Sequence, residues 1–220
     1  MPVANQTPGN TASDYATIQF VVTQLLSRMA TATLVRVQKC TNAGGVEPVG
    51  KVDVQLLVDQ VTEDGQTIPH GTVFNAPYLR VQGGANAVIL DPQPGDIGLC
   101  VFAMRDISSV KSDPDAARNR APVPGAPPGS KRTYSYSDAL YVGGMLNAAP
   151  TQYVQFTDAG IVVKSPQAIT LQAPAITLDG DVHVTGTTTM DGAATGQGTN
   201  VHTHTHSGIT PDDGNTGPPV

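Results

Sequence analysis

Apolar side chains in the first part of the chain follow two different periods. Over Tyr15–Met29 they recur every three to four residues, which predicts a short amphipathic helix with Asp14 as its N-cap. We expect residues 1–30 to form an N-terminal arm that ends in this helix. From residue 31 the period changes to two, as in the run TATLVRVQKC, which indicates β-strands.

Residues 31–110 contain five strand patterns, separated by the turn sequences NAGG, PHG, GGAN and PQPG. Short strands joined by Gly- and Pro-rich turns are typical of small barrels. We predict an OB-type barrel here, with a β-sandwich as the alternative. Five prolines then fall between Pro114 and Pro128, mixed with charged residues. This composition predicts that residues 111–133 form an extended linker.

A third pattern fills residues 134–195. From residue 157 to the end there is no Phe, Tyr, Trp or Cys, and Lys164 is the only basic residue. Too few apolar atoms are present for one chain to offset a backbone ordering cost of roughly 1–2 kcal/mol per residue. The large apolar residues form short clusters: Ile161, Val162 and Val163; Ile169 and Leu171; Ile176 and Leu178; Val182 and Val184.

Such fragments become stable when copies of the chain pair side by side and fill a shared narrow axis with Ile, Leu and Val. We therefore predict an all-β protein in which residues 134–195 form a trimeric, intertwined β-helix or β-prism shaft. A disordered tail rich in Gly, Thr and Ala is the alternative for this region.

Histidines alternate with threonine in the predicted apex, residues 196–220. Side chains two residues apart share a face of an extended strand, so His202, His204 and His206 would point the same way. In a trimer, two histidines per chain place six imidazoles around the three-fold axis. That octahedral set suits iron or nickel better than zinc, which prefers four ligands. An exposed polar tail and a zinc site within one chain are the alternatives.

Composition narrows the function further. The chain carries 18 acidic and 12 basic residues and no basic cluster, so we expect no nucleic-acid partner. Cys40 and Cys100 stand apart within apolar stretches, which favours two buried thiols, although a disulfide is possible. No nucleophile–base pair or phosphate-binding loop is visible, and we expect that the protein is not an enzyme.

Three stretches of the sequence carry a resemblance to a known family: DPQPGDIGLCVFAMRDIS, Asp91–Ser108; YSYSDALYVGGML, Tyr134–Leu146; and HTHSGITPDDGNTGPP, His204–Pro219. They resemble the central spike, or membrane-puncturing protein, of contractile-tailed phage baseplates. The first is similar to the closing strand of that family's OB domain, and the second to the stretch that enters the family's shaft. The third is similar to the family's tip, which pairs H-T-H with a Gly-rich segment.

The resemblance implies a homotrimer with an OB collar, a β-helix shaft and a pointed apex. It places His204 and His206 of each chain on one iron ion on the three-fold axis. His202 departs from the family pattern, and a second ion near the apex could bind there. The implied partners are a baseplate hub protein, bound through the collar, and the host outer membrane.

The implied function is structural: a spike at the tail tip of the virion pierces the host outer membrane during tail contraction and reaches the periplasm. Two other functions share a trimeric β-shaft. One is a receptor-binding tail fibre or adhesin, and the other is the spike tip of a bacterial contractile injection or secretion system.

Overall fold

The computed structural model describes residues 14–62, 64–115 and 126–192, together with the backbone of residues 195–196 and 199–200. The described chain is mainly β, as the sequence predicted. It divides between Tyr153 and Val154 into two compact units.

The first unit opens with helix α1, Asp14–Ser27, whose first helical residue is Asp14, the residue predicted as the N-cap. None of its residues is buried. The strands of this unit are β1 Ala32–Cys40, β2 Lys51–Leu56, β3 Gln60–Val61, β4 Thr67–Ile68, β5 Thr72–Pro77, β6 Val81–Gly83, β7 Asn86–Val88, β8 Ile97–Phe102 and β9 Ala139–Gly144. Helix α2, Ser108–Ser112, and a 3₁₀ turn, Tyr136–Asp138, lie between β8 and β9.

Five of these strands form one antiparallel sheet in the order β5-β2-β1-β8-β9. Its two edge strands meet at a parallel bridge between Tyr78, which follows β5, and Tyr141 in β9. The Leu79 amide also donates to the Tyr141 carbonyl at 2.8 Å. The sheet therefore closes on itself as a small barrel.

The barrel uses different strands from those that the sequence pattern suggested. The run AVILDP does not enter the sheet, because the turn at residues 84–85, where Gly84 has a positive φ, pairs Val81 with Val88 in a separate β6–β7 hairpin. The fifth strand is β9, which lies in the stretch assigned to the start of the shaft. Alternation alone reveals a strand but not its partner, because the partner is set by contacts distant in sequence.

Valine is the commonest residue of the barrel core. Alternate residues of β2 are buried, and so are alternate residues of β8, as expected for strands with one face inward. The core comprises Ala30, Val35, Val37, Val52, Val54, Leu56, Val73, Ala76, Tyr78, Cys100, Phe102, Ala139 and Tyr141. Cys100 is fully buried and Cys40 half-buried, and both are free thiols.

Gly98 allows β8 and β9 to approach each other closely. A Cβ atom at this position would overlap the Tyr141 side chain and the Gly143 carbonyl oxygen. One of these neighbours is backbone, so the overlap could not be relieved by a side-chain rotation. The absence of a side chain at Gly98 is therefore required for β9 to complete the barrel.

A buried ion pair ties the base of the β6–β7 hairpin to the loop between β1 and β2. Arg80 donates to Asp91 Oδ1 at 2.7 Å and to the Glu47 carbonyl at 2.6 Å. Asp91 also accepts from the Tyr78 hydroxyl at 2.6 Å and from the Gly44 amide at 2.8 Å. Burial alone would raise the pKa of Asp91, but the hydrogen bonds from Tyr78 and Arg80 outweigh it and hold the pKa below its usual value.

A second ion-pair cluster fixes the C-terminal end of the Pro-rich stretch. Arg132 makes a bidentate contact with the fully buried Asp138, at 2.8 and 2.9 Å, and contacts Asp106 at 3.0 Å. Ser130 donates to the other Asp106 oxygen at 2.6 Å. Residues 130–138 are thereby held against the end of β8, which presents β9 to its partner.

We predict that Val54→Ala destabilises the barrel by about 1.5–3 kcal/mol, because the side chain is fully buried. Val46→Ala makes the same chemical change at a 95% exposed site and should shift stability by less than about 0.5 kcal/mol. Equilibrium unfolding followed by tyrosine fluorescence reports the barrel, since Tyr78 and Tyr141 are in its core. Equal effects of the two substitutions would contradict the assigned core.

The Asp106 cluster should make the barrel sensitive to acid. Hydrogen bonds from the Ser108 side chain, from Ser130 and from the Ser108 amide lower the pKa of Asp106 to about 2, and Arg132 adds to this effect. Because the pKa is lower in the folded state, the stabilisation is present above about pH 4 and is lost as the pH falls towards 2.

Asp106→Asn should therefore lower the free energy of unfolding at neutral pH. The difference in unfolding free energy between this variant and the unsubstituted protein should shrink as the pH falls from 4 to 2. Asp158→Asn, at an exposed turn, is the matched control. Denaturant midpoints measured across this pH range give the comparison. A difference between the Asp106 variant and the unsubstituted protein that does not change with pH would show that charge on Asp106 does not stabilise the fold.

Candidate assembly interface

The predicted metal ligands His202, His204 and His206 lie outside the described residues. The last described backbone is the antiparallel pair β12, Thr195–Gly196, and β13, Thr199–Asn200. The iron site and its ligands therefore stay predictions. The described part of the second unit, residues 154–192, contains a different candidate.

This unit begins with a hairpin of β10, Tyr153–Thr157, and β11, Gly160–Lys164. Gly160 takes a φ of 128°, which an L side chain rarely adopts, so glycine permits the tight connection. Thr157 Oγ1 donates to the Gly160 carbonyl at 3.0 Å. Every residue of β11 is exposed, including its three consecutive branched apolar residues.

Residues 165–192 continue the chain without a helix or strand. Pro166 and Pro174 cannot extend a helix, and the intervening β-branched residues disfavour one. No backbone–backbone hydrogen bond joins two residues within 165–192 in the described structure. The backbone of this segment can therefore pair with strands of another chain.

Large apolar side chains recur along residues 154–192, and all of them are exposed. None of these residues is buried, and the side chains of Phe156 and Leu171 are 75% and 70% accessible. We call this set the apolar ladder: Val154, Phe156, Ile161, Val162, Val163, Ile169, Leu171, Ile176, Leu178, Val182, Val184 and Met190.

Polar residues alternate with ladder residues in three fragments. Thr170 separates Ile169 from Leu171, Thr177 separates Ile176 from Leu178, and His183 separates Val182 from Val184. In an extended chain, alternate residues face opposite sides. Each of these three fragments therefore has one apolar and one polar face, which is the pattern of a strand that is covered on one side and solvated on the other.

An exposed ladder of this length is unfavourable for an isolated soluble chain. Burial of apolar surface contributes about 25 cal/mol per Å², and soluble monomers rarely leave long apolar surfaces uncovered. No described residue of the second unit is buried, so the described part of the chain does not cover the ladder. The ladder is therefore the candidate functional surface, and its exposed apolar side chains suit association with other polypeptide.

Three of its members were not among the apolar clusters identified from the sequence. Val154 and Phe156 belong to β10, where they alternate with polar neighbours in YVQFT. That alternation is the signal that could have identified them. Met190 was also missed, because it stands alone in a run of threonines.

The barrel offers two shallow grooves as further candidates. One, of about 540 Å³, lies beside His70, Phe74, Lys111, Arg132 and Tyr136. Its cations are already engaged, because Lys111 Nζ donates to the Ser137 carbonyl at 3.0 Å and Arg132 contacts two carboxylates. Burial also lowers the pKa of Lys111.

The second groove, of about 460 Å³, lies beside the β6–β7 hairpin and β9. Neither groove brings a nucleophile to a base. Cys100 is enclosed in the core, and burial raises the pKa of its thiol to about 12, so the thiolate is scarce at neutral pH. That the protein is not an enzyme stays a prediction.

His70 packs its ring edge-on against Tyr136, with centroids 5.2 Å apart. His183 is exposed beside two ladder valines. Within the ranges that the structure describes, no three His, Cys, Asp or Glu side chains group around a possible metal position.

Comparison with models of known protein families and with curated proteins finds no match to this chain. Among the described helices, none has the length and apolarity needed to cross a bilayer.

We predict that Leu178→Asp disrupts assembly of the second unit, because each copy would place a charge inside the covered face. Thr177→Asp adds the same charge one residue away, on the opposite face, and should be tolerated. Molecular mass by light scattering and resistance to limited proteolysis distinguish the two variants. Identical behaviour would contradict a covered ladder, since both side chains are exposed in a single chain.

Proposed function

We propose that this protein is the membrane-piercing spike at the tip of a contractile phage tail, and that it works as a homotrimer. The observation that carries the proposal is the apolar ladder, which follows a closed barrel and which no described residue of its own chain covers. In this proposal the barrel, which includes β9, is an OB-type collar, residues 154–195 contribute the shaft and residues 196–220 form the apex.

The composition of the ladder supports an intertwined β-helix. Beyond β10 its members are Ile, Val, Leu and Met, without an aromatic residue, and such side chains fit a narrow axis shared by three chains. The interleaved Thr, Asp and His residues then form the outer surface. Pairing between chains also satisfies backbone groups that have no partner strand within residues 165–192.

The barrel supports the role of a collar. Its strand order and closure are compatible with a five-stranded OB-type barrel, in which loops at one end are free to contact another protein. The Asp91 and Asp106 clusters fix the surrounding loops, so the barrel presents a defined surface. We propose that this collar binds the hub protein of the baseplate.

At the apex, we propose that His204 and His206 from three chains bind one iron ion on the three-fold axis, and that His202 provides a place for a second ion. Imidazole nitrogens suit iron. Chain ends normally fray, and a shared ion ties three ends together by making its binding energy part of the folding energy.

The proposed trimeric spike would pierce a membrane mechanically rather than by partitioning into the bilayer. A shaft whose apolar side chains face inward presents Thr, Asp, Gln and Gly to the lipid, so it gains little from staying in the bilayer. The protein therefore acts in the virion, at the tail tip, and passes through the host outer membrane to the periplasm.

Native mass spectrometry of the full chain tests the proposal. We expect three chains with one iron ion per assembly. Replacing His204 and His206 with alanine should remove the iron and leave the trimer, because the ladder and not the metal provides most of the interface. His183→Ala, a shaft histidine outside the motif, should retain the iron.

Each contrary result has a defined meaning. A monomer would reject the spike. A metal-free trimer would reject the apex site and favour a receptor-binding fibre. Full iron occupancy after loss of His204 and His206 would reject these two ligands.

A further inference from the structure

Helix α1 has an apolar side that no described residue of the chain buries. Five apolar residues recur along it with alternating spacings of three and four: Tyr15, Ile18, Val22, Leu25 and Met29, the last being just beyond the helix. We call this set the seam. Tyr15 is 76%, Ile18 63% and Leu25 60% exposed, although Ala16 and Phe20 on the other sides of the helix are half-buried.

This spacing is the heptad repeat of a coiled coil, with the seam residues at positions a and d. An amphipathic helix that packs on a globular core is buried by that core. Here no residue of α1 is buried. The seam therefore has the form expected of a helix that packs against other helices of similar pattern.

The charge of the helix permits identical copies to pack in parallel. Asp14 is the only residue of α1 that is charged at neutral pH, because the helix contains no Glu, Lys, Arg or His. Identical helices side by side would therefore place no repelling row of charges beside the seam. Leu26 and Val21, which flank the seam, are also exposed and would widen the contact.

The position of the helix is defined by the barrel. Ala30 is buried in the core, and its amide donates to the Tyr134 carbonyl at 3.0 Å. Only two residues separate this anchor from the end of α1 at Ser27. Each copy in an assembly would carry its helix at the same point of its barrel and in the same direction.

A helix of 14 residues is marginal in water by itself, so α1 needs a packing partner. We propose that the partner is the same helix from the other copies of this chain, and that three α1 helices form a short parallel coiled coil through the seam. This inference rests on the proposed homotrimer. It adds a second contact between chains, separate in sequence from the apolar ladder.

Disulfide trapping in the full-length chain tests the inference. Leu25→Cys and Ile18→Cys place a thiol at position d, and Ser27→Cys places one at position f, on the opposite side of the helix. Under mild oxidation, both seam variants should form a covalent dimer, with the third chain left unpaired. Ser27→Cys should form no more disulfide-linked dimer than the unsubstituted chain, which itself contains Cys40 and Cys100.

Native mass separates failure of this inference from failure of the proposed function. A trimer in which neither seam variant cross-links above Ser27→Cys would overturn the coiled coil and leave the spike proposal intact. Another protein, such as the hub, would then bury the seam residues. A monomer would overturn both proposals.

Discussion

Order in a polypeptide depends on apolar burial that offsets the loss of backbone freedom, and among the described residues only the first unit meets this condition. The barrel encloses a core that includes Val35, Val54 and Cys100, all fully inaccessible to solvent. The second unit buries no described residue, yet it repeats the same residue types. In the proposed assembly, other chains supply the missing burial, and the proposed function is built on that requirement.

The buried polar contacts fix the loops around the barrel, whereas the apolar core stabilises the sheet. The Asp91 and Asp106 clusters lie where the chain leaves or rejoins the barrel, and each gathers groups from distant parts of the sequence. Such buried charges are costly unless they are paired, so the pairing selects one arrangement of the loops. Both ends of the Pro-rich stretch are involved, because Ser109 Oγ donates to the Pro127 carbonyl at 2.6 Å.

Local features were predictable from the sequence and distant pairings were not. The Asp14 start of α1 and the alternation of β1, β2 and β8 follow from residue type and spacing. The assignment of β9 to the barrel was not accessible, because it depends on the small size of Gly98 and on Asp138, which holds Arg132. Most of the ladder residues were identified from the sequence, whereas only the structure shows that all of them are exposed. The histidine site rests on sequence alone.

Closure of the barrel through Tyr78 and Tyr141 also limits how copies of the chain can aggregate. An open sheet exposes edge strands that recruit further strands without end, as in fibrils. Here the edges of the five-stranded sheet meet, so that sheet leaves no free edge for strand addition. In the proposed trimer, strands of different chains would pair through the second unit, and a heterologous contact that closes on itself would give a finite particle rather than a polymer.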